Sequence, residues 1–242
     1  MMMISKKVEK QINLFTEGTT FKYEQLDIVS GEHIATTKAI ERLIKKGDIK
    51  RLSTGIFYRP KKTVFGDLKP SEEEILKPYL FKKGKRIAYI TGISLYNQLG
   101  LTTQISKSFK IASLAKKISI YKGNIEATPA KSYIDVNDSN YYLLQLLDAL
   151  KDFKKIPDLN KSSAIKILTK KIGDLSTNET KLLVKCCLAY PPRVRAFLGA
   201  LLEKINTNYD LSKLKNSLNP LSKYDYEIDK TQLSTVENWN IK

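Results

Sequence analysis

The stretch TTKAIERLIKKGDIKRLSTGIFYRPKK, residues 36–62, decides the fold. Its first half has the periodicity of an amphipathic helix. At about 100° per residue, Thr36, Ile40, Leu43 and Ile44 share one face, and Ala35, Lys38, Arg42 and Lys45 share the opposite one. One side is therefore expected to be core and the other cationic. Gly47 stops the helix. DIKRL, STG and IFYRP then read as strand, turn and strand, with Pro60 ending the second strand. Residues 49–62 carry Lys50, Arg51, Arg59, Lys61 and Lys62 with no acid among them.

Working outward, residues 4–15 predict a helix with Ile4, Val8, Ile12 and Phe15 on one stripe. Residues 21–28 predict a short second helix, and Ser30 is a candidate N-cap for the third, residues 33–46. Three helices followed by a basic two-stranded wing is the order of a winged helix-turn-helix, expected over residues 1–66.

The character of the chain changes near Pro70. SEEEILKPYLF predicts a helix capped by Ser71, with acids in its first turn where the helix dipole favours them. KRIAYITG, KSFKIASL, KKISIYKGNIEATPA and SYIDV predict strands, with a turn at Lys122-Gly123-Asn124, and ISLYNQLGL predicts a short helix. Residues 67–138 are thus expected to form a small α+β domain. Residues 139–216 are helical by periodicity, broken at Pro157 and at Pro191-Pro192, and are expected to pack with the middle domain. Residues 217–242 form an irregular tail. The expected fold class is α+β and helix-rich: an N-terminal winged helix-turn-helix, a small α+β middle domain and a helical C-terminal region.

A 242-residue chain with 42% hydrophobic residues can bury a substantial core. Its 42 Lys and Arg against 25 Asp and Glu give a formal net charge of +17, which favours polyanionic partners, nucleic acid first and anionic membrane surface second. The excess is spread along the chain, at about +6, +6 and +5 for residues 1–70, 71–135 and the remainder, so the local run 49–62 is what needs explaining. Cys186 and Cys187 are adjacent in an apolar run, where a disulfide would be strained. The N-terminal residues lack the apolar segment of a signal peptide, and no run approaches the ~20 apolar residues of a membrane span. A reduced, cytoplasmic setting with no membrane partner is expected.

The candidate DNA contacts are Thr36, Thr37, Lys38, Arg42 and Lys45 on the third helix, and Lys50, Arg51, Thr54 and Arg59 on the wing. In a helix-turn-helix the second helix of the motif enters the major groove. Thr37 and Lys38 are then best placed for base edges, Arg42 and Lys45 reach phosphates, and the wing residues bind backbone or minor groove. Phe57 and Tyr58 as stacking platforms for single strands are a weaker alternative, because one aromatic of an alternating strand normally faces the core. His33 has no Cys, His or acidic companions of metal-ligand spacing. No glycine-rich phosphate loop or acid-base constellation is recognisable, so neither a metal, a cofactor nor an enzymatic activity is expected. Lys82, Lys83, Lys85, Arg86, Lys116 and Lys117 of the basic α+β domain are open to either reading, contact with phosphate or a protein partner, or solvated surface.

Four segments, KAIERLIKKGDIKRLSTGIFYRPK, ITGISLYNQLGLTTQ, YPPRVRAFLGALLEKI and NPLSKYDYEI, resemble the AbiE-type antitoxin and regulator family, over nearly the whole chain. In the reading helix, Ala35, Lys38, Ala39, Ile40, Arg42, Leu43, Lys45, Lys46 and Gly47 match the family pattern, while Thr36 replaces an apolar residue. The resemblance implies a winged helix that binds double-stranded operator DNA and represses its own operon. It also implies a C-terminal region that counters a nucleotidyltransferase-like toxin, as in a type IV toxin-antitoxin system. The alternative from the residues alone is a non-catalytic adaptor whose winged helix binds protein. Oligomeric state is not legible.

Overall fold

A computed structural model describes residues 4–29, 31–122, 125–205 and 210–242. The fold class is α+β and helix-rich, and the chain divides into two compact units, Met1–Lys85 and Arg86–Lys242.

The first unit begins with α1 (Ile4–Leu14), whose Val8 and Ile12 are buried. A strand, β1 (Thr20–Lys22), follows, then a 3-10 turn at Tyr23–Gln25. The expected second helix at 21–28 is therefore replaced. Thr20, Phe21 and Lys22 pair with Tyr58, Phe57 and Ile56, and Phe21 meets Phe57 with ring centroids 5.8 Å apart, so tertiary pairing overrides the local apolar spacing. Gln25 Oε1 accepts from the Lys22 backbone N–H at 2.8 Å, which closes the turn.

α2 (His33–Lys46) has the expected bounds. Its N-cap is Glu32, which makes no side-chain cap bond; the Ser30 cap falls outside the described residues. Gly47, at φ 78°, takes the left-handed conformation that ends helices, and its N–H reaches the carbonyls of Ile44 and Leu43. β2 (Lys50–Ser53) and β3 (Ile56–Tyr58) form the wing, and the sheet order is β1-β3-β2. The register slips between Arg51 and Ser53, a bulge that sharpens local twist just before the Ser53-Thr54-Gly55 tip. Val8, Ile12, Phe21, Leu26, Ala39, Ile40, Leu43, Ile49 and Phe57 make one core.

A second hairpin that the sequence reading did not anticipate follows Pro60: β4 (Lys61–Thr63) and β5 (Gly66–Leu68). α3 (Glu72–Leu80) is capped by Ser71 as expected. It belongs to the first unit, beyond the expected boundary at 66, because the Thr20 N–H and hydroxyl donate to the Glu74 carboxylate and carbonyl at 3.1 and 2.7 Å. The short strands β6 (Phe81–Lys82) and β7 (Lys85–Arg86) come next.

In the second unit, β8 (Tyr89–Thr91), α4 (Ile93–Gln98), β9 (Phe109–Ser113), β10 (Ile120–Lys122) and β11 (Ile125–Lys131) build a four-stranded sheet of order β10-β11-β9-β8 with a helix beside it. The turn expected at 122–124 falls on residues outside the description. SYIDV is not a strand. Ser132 Oγ donates to the Ile134 carbonyl at 2.7 Å, and the Asn140 amide takes the Asp135 carbonyl at 2.8 Å, so local side-chain bonds replace the ladder. α5 (Tyr141–Asp152), α6 (Lys161–Gly173), α7 (Thr177–Cys187) and α8 (Pro192–Lys204) follow the predicted periodicity, with a short α9 (Ser212–Asn216) after them. Sheet and helices share a single core. The tail is wrapped into it through Tyr226, Leu233, Val236 and Trp239, all buried. Trp239 occupies the space over Gly199, where a Cβ would overlap the indole at 2.2 Å.

Candidate functional site

α2 is held by its apolar face. Thr36, Ala39, Ile40 and Leu43 are buried, which leaves Ile34, Lys38, Glu41, Arg42, Lys45 and Lys46 exposed. Lys38, Arg42 and Lys45 recur at four and three, so they line up on one side of the helix over two turns. Among the described residues none of the three is in an ion pair. Thr37 is half-buried and its hydroxyl donates to the His33 carbonyl at 2.9 Å, so it sits at the edge of this face. On the wing, Arg51 and Thr54 are exposed, and the Arg51 guanidinium lies over the Phe57 ring at 5.7 Å, against the sheet.

Three predicted contacts do not share this placement. Thr36 is 1% exposed and faces the core, as its place on the apolar stripe requires; it cannot touch a ligand. Its hydroxyl is buried without a hydrogen-bond partner. The Arg59 guanidinium donates to the carbonyls of Asn13, at 3.0 Å, and Phe15. It thereby satisfies acceptors left over at the C-terminal end of α1. Lys50 is paired with Asp67 of β5 at 2.9 Å, and that carboxylate raises its pKa. Phe57 and Tyr58 are both buried, so neither offers a ring face to a base. The sequence reading missed the hairpin that supplies Asp67. Its signal was Gly66 just after the Val64-Phe65 tip that separates the short runs Lys61–Thr63 and Gly66–Leu68, masked by Pro60 at the end of the preceding strand.

A face of unpaired lysine and arginine on a helix, flanked by a basic wing, can bind a polyanion and release its counterions. A cavity of about 230 Å³ meets α2 only at the buried Leu43 and is otherwise lined by Glu9, Asn13, Asp48 and Arg59 among others. A cavity of about 380 Å³ is lined by Phe15, Lys22, Lys77, Pro78 and Phe81 among others, none of them on α2. Among the described residues no group of His, Cys, Asp and Glu is arranged to hold a metal ion, and no helix is long and apolar enough to cross a membrane.

The second unit uses its charges differently. Asp148, wholly buried on α5, accepts from Tyr89 at 3.0 Å, Thr91 at 2.8 Å, Tyr190 at 3.3 Å and Lys151 at 2.7 Å. Burial pushes its carboxyl above the usual range, and Lys151 with the two hydroxyls from β8 pulls it back. Tyr96 donates to Asp152 at 2.7 Å. Every acceptor site of Asp148 is occupied, so the cluster is a packed polar core with no open position for a reactant. Arg86 is likewise engaged, with Asp138 at 2.8 Å and the Tyr141 ring at 3.8 Å, while Lys116 and Lys117 are exposed; Lys82, Lys83 and Lys85, at the end of the first unit, are exposed as well. Both cysteines are buried, and burial pushes their thiols up, the setting of inert packing residues.

These features describe an α+β, helix-rich chain with a winged-helix unit at its N-terminus. The chain belongs to DUF6088, a family of unknown function, which it matches over residues 7–176, well over half its length. No curated protein matches it. Among solved structures it is similar to the crystal structure of the RV2827C protein from Mycobacterium tuberculosis. Identity is 13% and the TM-score 0.49, over 90% of this chain and 82% of that one. At that distance the likeness informs neither activity nor partner.

Proposed function

We propose that this protein is a cytoplasmic, non-catalytic DNA-binding repressor of its own operon that also serves as the antitoxin of a type IV toxin-antitoxin pair, countering a nucleotidyltransferase-like toxin. The observation that carries the DNA-binding half is the row Lys38, Arg42 and Lys45, exposed on α2 and in no ion pair among the described residues, with Arg51 and Thr54 exposed on the wing that follows it in the chain. In this reading α2 enters the major groove. Thr37 and Lys38, near its start, face base edges, while Arg42 and Lys45 neutralise phosphates and Arg51 and Thr54 hold the flanking backbone. Occupation of the promoter represses transcription. The antitoxin half is supported by the resemblance of four segments to the AbiE-type family, three of which, ITGISLYNQLGLTTQ, YPPRVRAFLGALLEKI and NPLSKYDYEI, lie in the second unit.

The test has two arms. A fragment from upstream of the gene should be retarded by the full chain, and a reporter behind it should be repressed. Co-expression should also relieve growth arrest by a neighbouring nucleotidyltransferase-like gene product. Retardation of unrelated DNA as tight as that of the promoter fragment would instead favour an adaptor role for the winged helix. Repression without rescue would leave only the regulator.

A further inference from the structure

The second hairpin stands on little buried surface of its own. None of the residues of β4 or β5 is buried, and the two tip residues, Val64 and Phe65, are 94% and 98% exposed. A two-stranded hairpin is marginal in water on its own, yet this one is held in shape. Thr63 Oγ1 donates to the Gly66 carbonyl at 2.8 Å and accepts from the Phe65 N–H at 3.3 Å. Gly66 takes φ 105°, a backbone conformation that side-chain-bearing residues avoid, and Lys50 of the wing grips Asp67 at 2.9 Å. The tip is thus fixed, apolar and bare.

Its stalk is cationic. Lys61, Lys62 and Lys69 are exposed, while Asp67, the one acid in residues 61–69, is neutralised by Lys50. An apolar point on a positive stem is complementary to a surface whose rim is anionic and whose interior is flat and apolar. A base step of a duplex, once partly unstacked, offers flat apolar base faces between two phosphate backbones. The Lys50 bridge also ties the hairpin to the first strand of the wing, so it starts from the element that the DNA-binding reading already puts on the backbone.

We propose that Phe65, with Val64 beside it, is a wedge that enters the minor groove of the bound duplex and partly unstacks one base step, kinking the DNA. The proposal rests on the DNA-binding reading and adds a distortion to it. Steps that unstack easily, such as TA, would then be preferred at one position that no hydrogen bond reads.

The experiment uses the full chain and a duplex from upstream of its gene, end-labelled with a fluorescence donor and acceptor and carrying 2-aminopurine at successive adenines. Binding should shorten the end-to-end distance and brighten 2-aminopurine at one step. The double variant V64S/F65S should still bind, about tenfold more weakly, with both signals lost. Retardation by the native chain with no bend and no brightening overturns the wedge and leaves the DNA-binding reading intact; absence of retardation overturns both. Phe65-dependent co-sedimentation with phosphatidylglycerol vesicles, in place of a bend, would assign the tip to a lipid surface and overturn the proposal.

Discussion

The two units spend their charged residues in opposite ways. On α2 the cations Lys38, Arg42 and Lys45 face solvent and, among the described residues, are in no ion pair. On α5 and the elements around it, Asp148, Lys151 and Asp152 are consumed by hydrogen bonds and ion pairs within the unit. The contrast matters because formal charge is nearly evenly spread along the chain. A lysine that holds up a fold is unavailable to a partner, and the number of basic residues in a segment does not distinguish the two. Burial and partner do.

The largest expected effect comes from breaking the buried side of the comparison. Asp148→Ala strands the Lys151 ammonium and three hydroxyls, and should cost about 3–5 kcal/mol in a urea titration. A midpoint unchanged from the native chain would mean that the cluster is solvated in solution. Arg59→Ala probes the one first-unit arginine assigned to structure. Losing its bonds to Asn13 and Phe15 should cost about 1.5–3 kcal/mol, and less to the extent that this half-exposed group is solvent-screened. The salt dependence of duplex binding should not move. A changed salt dependence would return Arg59 to the binding face. Smallest is Thr36→Val. It replaces a buried hydroxyl without a partner by a methyl of similar shape and should stabilise the chain by about 1 kcal/mol. Retardation of the promoter fragment should be unaltered, and its loss would restore Thr36 as a contact.

Much of the fold could be read from periodicity. α2 with its Gly47 stop, the β2–β3 wing, the Ser71-capped helix and the four long C-terminal helices all rest on local signals that the tertiary structure reinforces. The misses have a common cause. β1 was taken for a helix because its pairing with β3 lies more than thirty residues away in sequence, and SYIDV was taken for a strand because its side-chain bonds to Ile134 and from Asn140 leave no trace in composition. At the site, the apolar stripe of α2 already placed Thr36 inward, so its listing among contacts conflicted with the helix geometry. The capping role of Arg59 and the pairing of Lys50 with Asp67 depend on contacts that no spacing rule encodes. The Asp148 cluster showed only as one acid among the apolar positions of YYLLQLLDALKD, with Lys151 and Asp152 at its end.

The central claim is that the exposed row on α2 binds duplex phosphates. The salt dependence of affinity for the promoter fragment, measured for the native chain and for the double variant R42A/K45A, tests it most directly. If both side chains neutralise phosphates, the slope of log K against log salt should become shallower by about 1.8 for the pair, while the unfolding free energy from a urea titration stays within about 0.5 kcal/mol of the native value. An unaltered slope with the fold intact would show that this helix face does not carry the DNA.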